Sequence, residues 1–67
     1  MNTKFRETER QIAKCKNELF ELKNDMKVVK NKYVKDEIQS RIDFLERRIE
    51  RKEFELWKME RENNDEF

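Results

Sequence analysis

The sequence predicts an all-α chain, an antiparallel two-helix coiled-coil hairpin. Three observations carry that expectation: glycine and proline are absent, 49% of residues are charged, and two seven-residue apolar repeats run along the chain out of phase with each other. Without the two residues that most disfavour a helix interior, and with Glu, Lys, Arg and Leu abundant, helix is the favoured local state throughout. Only 34% of residues are hydrophobic, close to the composition of disordered chains, so their spacing decides whether a core can form. The spacing is regular.

The first repeat places Phe5, Ile12, Leu19, Met26 and Tyr33 at a, with Thr8, Cys15, Leu22 and Val29 at d, and defines a helix over 3–33. The second places Ile42, Ile49, Leu56 and Asn63 at a, with Ile38, Leu45, Lys52 and Met59 at d, and defines a helix over 37–63. Extended backwards, the second repeat puts an a position at Lys35, two residues from Tyr33. An offset of two turns the apolar seam through roughly 200°, so one unbroken helix would present its halves to opposite sides. A loop at 34–36 resolves the conflict, and Asp36 with Gln39 three residues later resembles a capping box opening the second helix. Residues 64–67 form an acidic tail expected to fray. The whole of 1–67 reads as one hairpin domain.

Folding back at that loop sets Tyr33 opposite Ile38, Val29 opposite Ile42, Met26 opposite Leu45, Leu22 opposite Ile49, Cys15 opposite Leu56 and Ile12 opposite Met59. Leu19 against Lys52 is the charged defect. Flanking charges agree: Lys16, Lys23 and Lys30 at e face Glu46, Glu53 and Glu60, while Glu18 and Asp25 at g face Arg41 and Arg48. The same charges also satisfy an extended parallel coiled-coil dimer, which stands as the alternative. A lone hairpin leaves its core open along one side, so self-association is expected, as a homodimer forming a four-helix bundle.

Chemistry is constrained by what is missing. One Cys and no His exclude an internal disulfide and the usual zinc ligand sets, and without Gly there is no glycine-rich phosphate loop. Cys15, at a d position, reads as a small buried hydrophobe rather than a nucleophile. A slender hairpin encloses no substrate pocket. The expectation is a protein that is not an enzyme and has no cofactor, no metal and no small-molecule substrate. No apolar run exceeds two residues, so neither a membrane span nor a signal-peptide core is read, and a single unpaired thiol suits the cytoplasm. Net charge is +1, but its distribution is uneven: nine basic and five acidic residues up to Lys32, the balance reversing after it.

Function is sought in apolar residues outside the seam. On the second helix Phe44, Arg47, Arg51, Phe54 and Lys58 make an outer stripe of rings and cations, with Trp57 beside it. These six are the expected partner-binding residues of a protein-protein interaction module: a small regulator, inhibitor or assembly factor. The Lys, Asn, Glu and Ile richness suits the compact AT-rich genomes of phages and mobile elements. The alternative is RNA or DNA binding through Lys16, Phe20, Lys23, Lys27 and Lys30 on the first helix. With Phe20 among Lys16, Lys23 and Lys27, a short-loop hairpin that pairs into a four-helix bundle resembles, in size and topology, the Rop class of small plasmid RNA-binding proteins. That resemblance implies a basic face with a phenylalanine presented to paired RNA loops.

Overall fold

The structure is a computed structural model that describes residues 3–65, with side chains to residue 62. Two helices, α1 (Thr3–Val28) and α2 (Lys32–Asp65), pack side by side as a helical hairpin. The rod measures 55 × 15 × 13 Å, the long dimension being that of a 34-residue helix rising about 1.5 Å per residue. The extended parallel arrangement is overturned: a single chain turns back on itself.

The turn is earlier than the repeat suggested. The expected loop at 34–36 lies inside α2, and the helix is interrupted at 29–31 instead. Asn31 is the reason. Its Oδ1 accepts the backbone N–H of Tyr33 at 2.8 Å and of Val34 at 3.4 Å, and its carbonyl accepts Lys35 N–H at 2.9 Å, which is the geometry of an N-cap. The β-branched pair Val28 and Val29 weakens helix propagation just before it, and Lys27 in the last turn of α1 suits the negative end of the helix dipole. The expected capping box at Asp36 and Gln39 does not cap: both are exposed within α2, and the Gln39 amide donates to Asp43 at 3.0 Å. Tyr33 leaves the seam, takes an outer position set by the phase of the second repeat, and is 82% exposed. At the other end α2 runs to Asp65, past the expected stop at 63, while Glu66 and Phe67 of the expected tail lie outside the described residues. Replacing Asn31 by Ala should cost about 1 kcal/mol of stability, read as a lower Tm, whereas Asn31→Asp should retain it.

With an earlier turn, the pairing slides. Three side-chain contacts cross the seam: Arg41 to Glu18, Lys52 to Gln11, and Lys16 to Glu53. Together they set Cys15 opposite Ile49, Leu19 opposite Leu45, Leu22 opposite Ile42 and Met26 opposite Ile38, one heptad from the expected layers. The core cluster agrees, uniting Ile12, Cys15, Leu45 and Ile49 with Leu19, Leu22 and Leu56 packed around them. The register expected from the repeat also sets Thr8 against Asn63, whose side chain lies outside the described ones. Thr8 is buried, and its hydroxyl donates to the Lys4 carbonyl at 2.9 Å, so its polar atom is satisfied.

Lys52 now faces Ile12 rather than Leu19, and it is half-buried with its ammonium donating to the Gln11 carbonyl oxygen. The stem lies along the seam while the charged head escapes sideways. Lys52→Leu should raise stability by about 1 kcal/mol by adding apolar burial at that layer, measured as a higher Tm at unchanged helicity.

Candidate protein-interaction face

Heptad phase determines what the hairpin leaves outside. Residues at c and f of α2 project away from α1, so the rings placed there are uncovered: Phe44 is 49% exposed, Phe54 57% and, beside them, Trp57 51%. Lys58 lies 14 residues beyond Phe44, about 21 Å along the helix at 1.5 Å per residue. All six expected partner-binding residues lie on this outer side.

They divide into two groups. Towards the C-terminal end, the Phe54 and Trp57 rings lie 5.7 Å apart at 30°, with Lys58 Nζ 5.7 Å from the Phe54 centroid and the Arg61 guanidinium 5.2 Å from that of Trp57. These are contacts between residues three or four apart on one helix, the separation at which side chains meet. Near the middle, Phe44 carries Arg41 over its ring at 5.1 Å and lines a groove of about 230 Å³ with Arg47, Arg48 and Arg51. Exposed ring-cation contacts contribute roughly 0.5–1 kcal/mol each, enough to order the long side chains and too little to hold them against a partner.

Arg61 continues the stripe that the sequence shows, whereas sequence reasoning missed Arg41 and Arg48 as parts of this face. Each stands three or four residues from a ring, and that spacing was the available signal. Arg41 has a second role: its Nε donates to Glu18 Oε2 at 2.8 Å and its Nη2 to Oε1 at 3.4 Å, a two-pronged bridge from α2 to α1. The hydrogen bond from Arg41 is the main cause that holds the Glu18 carboxyl below its ordinary pKa; partial desolvation opposes this, and the cation's charge adds to it. Arg41 is raised in return, chiefly by the same hydrogen bond. A depressed carboxylate contributes stability above its unfolded pKa and loses it as pH falls through the folded value, so this bridge fails on the acid side. Both partners are exposed, so the contribution is small.

In contrast, Arg47, Arg48 and Arg51 have no carboxylate within ion-pair distance among the described residues. Acids are plentiful on α2: Asp43, Glu46, Glu50 and Glu53 follow one another along one flank, with Arg47 bordering the first three, while Glu55 shares the heptad position of Arg41 and Arg48. The rings Phe44 and Phe54 lie off the acidic flank, and Trp57 continues the row of Asp43 and Glu50.

The alternative face is brought together on α1 in part: Lys16, Phe20, Lys23 and Lys27 follow one another at three- and four-residue steps, and Phe20 is 68% exposed, whereas Lys30 falls in the interruption at 29–31, beyond the end of α1. Lys16 lies 3.8 Å from Glu53, whereas Lys23, Lys27 and Lys30 have no carboxylate partner among the described residues. This stripe is not alone on its side of the hairpin: the acidic flank of α2 runs beside it, joined to it by the Lys16–Glu53 pair.

Cys15 is a free, buried thiol in the core. No helix among the described residues is long and apolar enough to cross a membrane. Comparison with protein-family models, with curated proteins and with solved structures finds no match to this chain.

Proposed function

We propose that this chain is a non-enzymatic interaction module that docks the outer face of α2 on an acidic surface of a partner protein in the cytoplasm, as a small regulator, inhibitor or assembly factor. The observation that carries the reading is the group formed by Phe44 with Arg47, Arg48 and Arg51: an exposed ring in a groove walled by three guanidiniums that form no ion pair with a carboxylate among the described residues. Aromatic rings and arginine supply most of the binding energy at protein interfaces, the ring by desolvation and the guanidinium by two-pronged hydrogen bonds to carboxylates. Phe54 and Trp57 extend the same surface, and Lys58 and Arg61 rim it.

Nucleic acid binding through α1 is the weaker reading. Phosphates approaching Lys16 would also approach Glu46, Glu50 and Glu53, which line the same groove and whose repulsion offsets the gain.

The test is co-purification from nuclease-treated lysate, comparing wild type with a Phe44→Ala, Phe54→Ala double variant of verified helicity. The reading expects a defined acidic protein held by wild type, retained at moderate salt and lost with the variant. Recovery of nucleic acid without nuclease, with affinity falling by orders of magnitude as salt rises, would overturn it.

A further inference from the structure

We propose that a second copy of this chain docks on the opposite long side of the hairpin, across the groove between α1 and α2 at their e positions, with α1 of each copy lying along α2 of the other. The two sides of the seam are unequal. On the g side, the two-pronged Arg41–Glu18 bridge and the Lys52–Gln11 hydrogen bond latch the helices together. On the e side the one ion pair among the described residues is Lys16–Glu53, stretched to 3.8 Å, and there the seam opens into a groove of about 470 Å³. Its floor is Leu19 and Ile49, and its walls are Lys16 with Glu46, Glu50 and Glu53.

Charge complementarity names the occupant. One wall of this side is the lysine stripe of α1, Lys16, Lys23 and Lys27; the other is the acidic stripe of α2, Asp43, Glu46, Glu50 and Glu53. A two-fold axis running lengthwise along this side exchanges left for right, so it lays each copy's Lys16, Lys23 and Lys27 on the other copy's Glu53, Glu46 and Asp43. Lys23 and Lys27, without a carboxylate partner among the described residues, gain partners in this way. Phe20, 68% exposed on the lysine stripe, is covered at the same time.

The size fits as well. One long side of a rod with extents of 55 and 15 Å offers on the order of 800 Å² per copy, the area of a standard stable interface. The hairpin also has reason to associate, because the buried hydrophobic residues described are only Ile12, Cys15, Ile42, Leu45 and Ile49. The outer face of α2 can be tested separately, since Phe44, Phe54 and Arg51 lie off the contact, while Arg47 and Trp57 border it.

Charge reversal with rescue tests it. Sedimentation equilibrium of the full chain should give twice the 8.5 kDa chain mass for wild type. A Lys23→Glu, Lys27→Glu variant and an Asp43→Lys, Glu46→Lys variant leave the Lys16–Glu53 pair intact, and each alone should dimerise at least about tenfold more weakly. Mixed, they should form a heterodimer near wild-type strength, because both contacts between the copies then join opposite charges. Far-UV circular dichroism checks that each variant is still helical; if either is not, Phe20→Glu, at an exposed position, should weaken the wild-type dimer in its place. A monomeric wild type, dimerisation of both variants undiminished, or a mixture no tighter than its components overturns the proposal. The Phe44→Ala, Phe54→Ala variant should remain dimeric, so loss of partner binding and loss of self-association are separable results.

Discussion

Leu45→Asp should abolish the cooperative fold. Leu45 is 2% exposed, the most deeply buried of the core side chains, and packs in the cluster with Ile12, Cys15 and Ile49. A carboxylate there lies off the nearby cations: Lys52 is engaged with Gln11, Arg41 with Glu18, and Arg48 lines the outer groove with Phe44. Burying an unpaired charge costs several kcal/mol, which approaches or exceeds the total stability available to a chain of this length. Far-UV circular dichroism should show loss of most helical signal and of a cooperative melt. Leu45→Ala should be graded rather than absolute, with a loss of about 3 kcal/mol. Tyr33→Asp, at a position 82% exposed, should leave the melt nearly unchanged, which separates the effect of burial from that of added charge. A cooperative melt in Leu45→Asp would mean that the heptad seam is not the core.

What the heptads specified and what they left open follow from the nature of a repeat. A seven-residue period states which face of each helix is buried: Ile12, Cys15, Ile42, Leu45 and Ile49 all lie at predicted seam positions. It does not state the register, because sliding one helix by a full heptad sets apolar positions against apolar positions again. The choice fell to the turn, and the turn was decided by one side chain. Asn31 caps α2 without a Glu or Gln three residues later, so it lacks the two-residue signature that drew attention to Asp36. Tyr33 compounded the error. It continues the a series of the first repeat, yet the polar phenol loses little by facing water, so the helix phase beginning at Lys32 prevailed. The outer rings were legible for the opposite reason: Phe44, Phe54 and Trp57 interrupt a pattern that calls for polar residues, and the structure leaves all three half-exposed. The cations around Phe44 were less legible. Arg41, over its ring, and Arg48, in its groove, are unremarkable in a chain this basic until the three- and four-residue steps to that ring are traced.

Register can be tested chemically through the natural thiol. In the observed pairing Cys15 stands opposite Ile49, whereas the pairing first expected from the repeat sets it opposite Leu56, seven residues and about 10 Å further along α2. A disulfide tolerates Cα separations only up to about 7 Å, so a shift of one heptad is far outside its reach. Ile49→Cys should therefore close an intramolecular bond with Cys15 in a glutathione redox buffer, and Leu56→Cys should not. The effective concentration of the first thiol pair should exceed that of the second by orders of magnitude. Both substitutions trim a seam side chain to the same thiol, so a general loosening of the core would act on them alike. Preferential closure of Leu56→Cys would restore the later turn, and with it a seam in which Lys52 faces Leu19.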